Sequence, residues 1–220
     1  LNLSAALFSP AWYITFNLLF AALLVLSLFF IHWQQLFEDT GLQHRLGLAL
    51  VVVISIWSMR AGISEGLGIH FFLITAVHLI FGWQLAIWVI ALALVGMVWI
   101  GKEVWQGIGI NAFVSAIVPM LCTYTLWRIQ EAKKLYNPFA FIFLVCFLGA
   151  IVSIVASGLL LTWLLWASDA YTMRAIFEQF WIYVPLIALP EATLNGIIIT
   201  GLIVYRPQWV RFFDPEKYYR

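Results

Sequence analysis

Met59-Arg60-Ala61-Gly62-Ile63-Ser64-Glu65-Gly66-Leu67-Gly68-Ile69-His70 is where the polar chemistry of this sequence is concentrated. It holds an arginine, a glutamate, a histidine, a serine and three glycines, and apolar runs flank it on both sides. Such a segment reads as a glycine-rich connection between two membrane helices, dipping toward the lipid. The composition around it agrees. The chain is 65% hydrophobic and 10% charged, with a mean hydropathy of +1.01. Soluble domains carry about 25% charged residues, so this chain cannot cover a water-facing surface and is an integral membrane protein. Its 12 tryptophans suit rings placed at headgroup level. A net charge of +1 without a basic run gives no support for a nucleic-acid partner. Cys122 and Cys146 both fall in apolar runs and are expected to be buried thiols. The start has no basic n-region or cleavage site, so no removable signal peptide is expected.

Working outward, a spanning helix needs about 20 mainly apolar residues. Seven candidates follow: Ala11–Trp33, Leu46–Met59, Gly66–Phe81, Trp83–Ile100, Ile110–Trp127, Phe139–Trp166 and Trp181–Tyr205. Pro119 is expected to kink the fifth. The expected fold is an all-α polytopic bundle, with residues 1–205 as one transmembrane domain and 206–220 as a short cytoplasmic interfacial tail. With the C-terminus inside, the inner loops carry eight basic residues and the outer ones only Arg60, Lys102 and Arg174. The positive-inside rule therefore sets the N-terminus outside. The opening stretch then lies on the outer face. The spans beside it are the shortest, so it is expected to re-enter the bilayer, shielded by protein.

Glu191 sits in the seventh span just after Pro190, with Asn195 one turn on and on the same face. A carboxylate at that depth reads either as a functional group or as a helix-packing group bonded to Asn195. Glu65 lies near Arg60 and reads as its ion-pair partner. His70 and His78 are both on the third span, eight residues apart, and are expected to share one face of it within a drift of about 80°. Asn111 either caps the fifth span or lines a site. The sequence has no H-E-x-x-H, paired C-x-x-C, phosphate loop or Ser/His/Asp arrangement. Without a nucleophile or a second carboxylate, Glu191 or His70 as an acid or base is set aside, and the chain is read as a non-enzyme.

The order of these features resembles the CbiM/NikM family, the membrane substrate-capture component of energy-coupling-factor ABC transporters for cobalt and nickel. Three stretches carry the resemblance across nearly the whole chain. Leu1-Asn2-Leu3-Ser4-Ala5-Ala6-Leu7-Phe8-Ser9-Pro10-Ala11 is similar to the family's Met-His-Ile-Pro-Asp-Gly-Phe-Leu-Ser-Pro-Ala opening. Gly62-Ile63-Ser64-Glu65-Gly66-Leu67 is similar to its Gly-Thr-Ser-Gly-His-Leu loop, and Gly109-Ile110-Asn111-Ala112-Phe113 to its Gly-Ala-Asn-Val-Phe. The last span, with Glu191 and the closing Arg206-Pro207, looks like the family's last helix.

In that family the N-terminal amine, the second-position histidine and the loop histidine chelate the metal. Here Asn2 and Gly66 stand in the two histidine positions, Ala5-Ala6 replaces Asp-Gly, and Leu1 replaces the initiator methionine. The family's histidine ligands are therefore not retained, and the candidate metal contacts are Asn2 and, from a shifted position, His70. Ser64, Glu65 and Asn111 are expected to line the site, and Glu191 and Asn195 are the intramembrane polar pair. The expected function is capture of a divalent transition metal, or another small solute, at the outer face of the inner membrane. Separate coupling and ATPase subunits would be the partners, along with membrane lipid. The missing histidines motivate an alternative, an accessory subunit that keeps the fold while docking onto a larger membrane enzyme complex.

Overall fold

The computed structural model describes residues 2–64 and 66–219. In chain order its elements are β1 (Asn2–Leu3), α1 (Pro10–Leu28), α2 (Trp33–Glu38), α3 (Thr40–Ser58), β2 (Ala61–Ser64), β3 (Leu67–Ile69), α4 (Ile74–Phe81) and α5 (Trp83–Trp99). The long helices α6 (Trp105–Ala132), α7 (Pro138–Ala167) and α8 (Met173–Tyr205) follow, then the short α9 (Pro215–Tyr218). Five of these, α1, α3, α6, α7 and α8, are long and apolar enough to cross a membrane. Their outward faces carry Leu18, Phe29, Leu186 and Ile197, all exposed. An all-α membrane fold is the result.

Several boundaries move from the sequence reading, each for a local reason. Helix α3 starts at Thr40 rather than Leu46, because Asp39 Oδ1 accepts the Leu42 N–H at 2.8 Å as an N-cap. Helix α8 starts at Met173 rather than Trp181, capped by the Thr172 hydroxyl on Ala175 N. In α6 the backbone widens into a π turn over Phe113–Ile117, immediately before Pro119, where the proline ring displaces the normal ladder bond. Both cysteines are free thiols.

The largest departure is the third apolar stretch. It is not one helix. Strand β3 and an irregular segment at residues 70–73 lead into α4, which has only eight residues. Leu73 turns the chain there in a left-handed conformation, at φ 56°. His70 therefore precedes α4 rather than sharing a helical face with His78. Strand β3 is central in a small antiparallel sheet of order β1-β3-β2, pairing Asn2 with Gly68 and Leu3 with Leu67 on one side, and Ala61 with Ile69 on the other. A bulge between Gly62 and Ser64 shifts the second register. The chain's first residues are thus part of the connecting loop's sheet.

The tail packs inward. Val210, Phe213 and Tyr218 are buried against Leu79, Phe141, Cys146 and Ile203. Phe212 N donates to the Leu79 carbonyl at 3.3 Å, and Arg211 Nη1 to the Phe81 carbonyl at 3.3 Å. Carbonyls that α4 leaves unpaired at its C-terminus are satisfied this way.

Candidate functional site

Asn111, on α6, holds the N-terminal strand as a further strand would. Its Oδ1 accepts Leu3 N at 2.8 Å and its Nδ2 donates to Leu3 O at 3.0 Å. The same Nδ2 donates to Glu103 Oε2 at 3.2 Å. Glu103 lies in the loop after α5, its side chain only 6% exposed, and its Oε1 pairs with Arg60 Nη1 at 3.2 Å. Arg60 also donates to the Lys102 carbonyl, and the Lys102 ammonium donates to the Ser58 carbonyl at the end of α3, where a cation suits the helix dipole. Burial pushes the Glu103 carboxyl up to about 7, outweighing the opposing pull of Arg60.

Two spaces meet at Glu103. An outer bowl of about 330 Å³ is walled by Arg60, Gly66, Gly68, Lys102, Glu103 and Ser4. Beneath it, Trp57, His70, Glu103, Asn111 and Ser115 enclose a chamber of about 10 Å³, the volume of one water or one ion. His70 is buried, with its ring 5.1 Å from Trp57 and 5.7 Å from Phe72. Its Nδ1 lies 3.0 Å from the Phe71 carbonyl. A carbonyl only accepts, so Nδ1 is the donor in this contact.

Glu191 and Asn195 lie elsewhere and do something different. Glu191 Oε2 accepts Phe72 N at 2.7 Å and Oε1 accepts Leu73 N at 2.8 Å. Asn195 Oδ1 accepts Ala76 N at 2.8 Å, and its Nδ2 donates to Glu191 Oε1 at 2.7 Å. Helix α4 has no capping side chain of its own; α8 supplies one across the bundle. This pair satisfies backbone that lipid could not. His78, at the other end of α4, lies 4.9 Å from Phe212 with the rings tilted by 46°, and neither ring nitrogen has a hydrogen-bond partner among the described residues.

Of the residues singled out in the sequence, His70 and Asn111 come together around the chamber, and the backbone of Asn2 pairs with Gly68 beside them. Ser64 ends β2. Glu65 lies outside the described residues, and the described ion-pair partner of Arg60 is Glu103. Glu103 was missed. Next to Lys102 and after Gly101 it reads as a solvated turn, and only the fold buries it. Gly66 adopts φ +75°, and a Cβ there would meet Leu7 Cδ1 at 3.0 Å and Ser4 Cβ at 3.2 Å. Among the described residues no three of His, Cys, Asp or Glu gather closely enough to hold a metal.

A search of curated proteins found no match. Two solved structures share the fold. The first is described as a crystal structure of a truncated transition metal transporter, with a TM-score of 0.78 and 14% identity, covering 93% of this chain and 99% of that one. The second, a transition metal transporter, has a TM-score of 0.72 and 15% identity, covering 92% of each chain. The family model for CbiM, described as the cobalt uptake substrate-specific transmembrane region, matches residues 2–209. The chain belongs to the CbiM family.

Proposed function

We propose that the chain is the substrate-capture component of a metal-uptake transporter of the energy-coupling-factor type in the inner membrane. It takes a divalent transition metal at the outer face, and separate coupling and ATPase subunits drive release inward. Seven crossings, with the N-terminus outside, suit this role. Six are α1, α3, α5, α6, α7 and α8. The seventh is composite. Strand β3 and the irregular segment to Leu73 lead into the eight residues of α4, which add about 12 Å of rise.

The observation that carries the reading is the N-terminal strand locked by Asn111 into the loop sheet. Ser4 and Glu103 then stand on the bowl, and His70 and Glu103 on the chamber that shares Glu103 with it. An imidazole nitrogen and a carboxylate suit a borderline divalent metal. The test is thermal stability of the purified chain with cobalt, nickel, copper or zinc, beside metal uptake in a deletion strain. A metal-dependent rise in melting temperature and an uptake defect are expected. Absence of both sinks the proposal.

One observation favours a second reading, an accessory subunit without a metal site. Gly66 stands where the family's loop histidine is, and Leu7 and Ser4 occupy the space a side chain would need. Purification from native membranes separates the two readings. Co-purification with ATPase subunits supports transport; co-purification with oxidoreductase subunits supports docking.

A further inference from the structure

We infer that the outer bowl takes its metal as an anionic carboxylate chelate rather than as the bare ion. The inference rests on the metal-uptake reading and specifies the substrate class. The first argument is size. A bare ion needs a space like the lower chamber, of about 10 Å³, whereas the bowl has about 330 Å³. That volume falls at the lower end of small-molecule pockets, about 300–1,000 Å³. The second is charge. The described ionisable side chains on the bowl are Arg60, Lys102 and Glu103, two cations and one acid. Glu103 is already shared between Arg60 and Asn111. Among these described groups the cations outnumber the acid, which suits a carboxylate-bearing chelate better than a lone divalent cation.

The third argument is donor geometry. The guanidinium has five N–H donors and the ammonium three. The described bonds of Arg60 run to Glu103 and to the Lys102 carbonyl, and that of the Lys102 ammonium to the Ser58 carbonyl. Both residues line the bowl, and their head groups suit charge-assisted bonds to carboxylate oxygens. Gly62, Gly66 and Gly68 also line the bowl and present backbone without side chains. A metal already wrapped in carboxylates also requires fewer ligands from the protein, in keeping with the sparse donor set among the described residues.

The test uses the full chain in nanodiscs, with nickel chloride, sodium citrate and equimolar nickel citrate compared by calorimetric titration and thermal shift. Nickel citrate is expected to raise the melting temperature and to bind at least about tenfold tighter than either component alone, the scale of one charge-assisted contact. Lys102→Glu is expected to weaken nickel citrate binding by about tenfold or more, and Lys102→Arg to retain it. The ligand-free melts of both variants check that they fold. If nickel chloride binds as tightly and citrate competes it away, the chelate inference is overturned and the uptake reading stands. If citrate alone binds as tightly as nickel citrate, or Lys102→Glu binds nickel citrate like the parent chain, the inference also fails. If neither form of nickel binds, both readings fall.

Discussion

Replacing Glu191 with leucine tests the account of α4 directly. The carboxylate receives three hydrogen bonds, from Phe72 N, Leu73 N and Asn195 Nδ2. Leucine fills much of the same space and accepts none of them. Each buried donor left unpaired costs about 1–3 kcal/mol, so even the lower figure gives about 3 kcal/mol for the three. In a chain of this length each kcal/mol moves the melting temperature by about 2–4 °C, so Glu191→Leu is expected to melt about 6–12 °C lower. Glu191→Gln is the control. Its amide oxygen can serve Leu73 and Asn195 from the Oε1 position and leaves only Phe72 N facing a nitrogen, for a loss of about 1–3 kcal/mol. Tryptophan fluorescence in detergent reports the melt. Hydrogen exchange at the Phe72, Leu73 and Ala76 amides reports whether the loss is local to the start of α4. A Glu191→Leu protein that melts with the parent chain and keeps those amides protected would refute the capping argument.

Three further outcomes follow from the site. Asn111→Ala removes both bonds to Leu3 and is expected to cost about 1–3 kcal/mol, with faster exchange of the Leu3 amide as the check. Gly66→Ala forces a side chain into a left-handed conformation and against Leu7; about 1–2 kcal/mol of strain is expected from the backbone alone, read as a lower melting temperature. Glu103 gives a pH dependence. Its folded-state value is raised from 4.5 to about 7, so its stabilising contribution is complete below pH 4.5 and is lost as pH rises through about 7. Glu103→Gln is expected to remove that part of the stability profile, as seen in melts taken across the range.

How far the fold could be read from the sequence depends on where each segment's partners lie. The long spans are local properties: twenty apolar residues in a row need only lipid and a neighbouring helix. Helix α4 is otherwise. Its N-terminal donors find Glu191 and Asn195 about 120 residues away, and nothing between Gly66 and Phe81 announces that the first half is not helical. Glu191 and Asn195 were legible as a pair, because i and i+4 share a helix face; the direction of their bonds was not. Asn111 was legible as a cap or a lining residue; it does line the chamber, but its two bonds to the backbone of Leu3 were not legible. Glu103 was invisible because its burial is made by Arg60 and Asn111, which come from two other elements.

The position of the glycine-rich loop is therefore set from the inside of the bundle. Irregular backbone at membrane depth is tolerated only where protein supplies its hydrogen bonds, and α8 supplies them through one carboxylate and one amide. The other end of α4 is tied to Arg211 and Phe212 of the tail. Helix α4 has eight residues, about 12 Å of rise, and is held at both ends by groups outside itself. A displacement of β3 cannot be absorbed by fraying this helix without leaving Phe72 and Leu73 amides unpaired, which costs about 1–3 kcal/mol each. It must be carried by moving α4 as a unit with Glu191, or by breaking the Glu191 bonds. The bowl, the buried pair and the tail consequently form one mechanical chain. Glu191→Leu cuts it at the upper joint, so loosening of the loop's sheet is expected while the contact of Phe212 with Leu79 persists. Hydrogen exchange at the Gly68 and Phe212 amides distinguishes that outcome from general unfolding, in which both would open together.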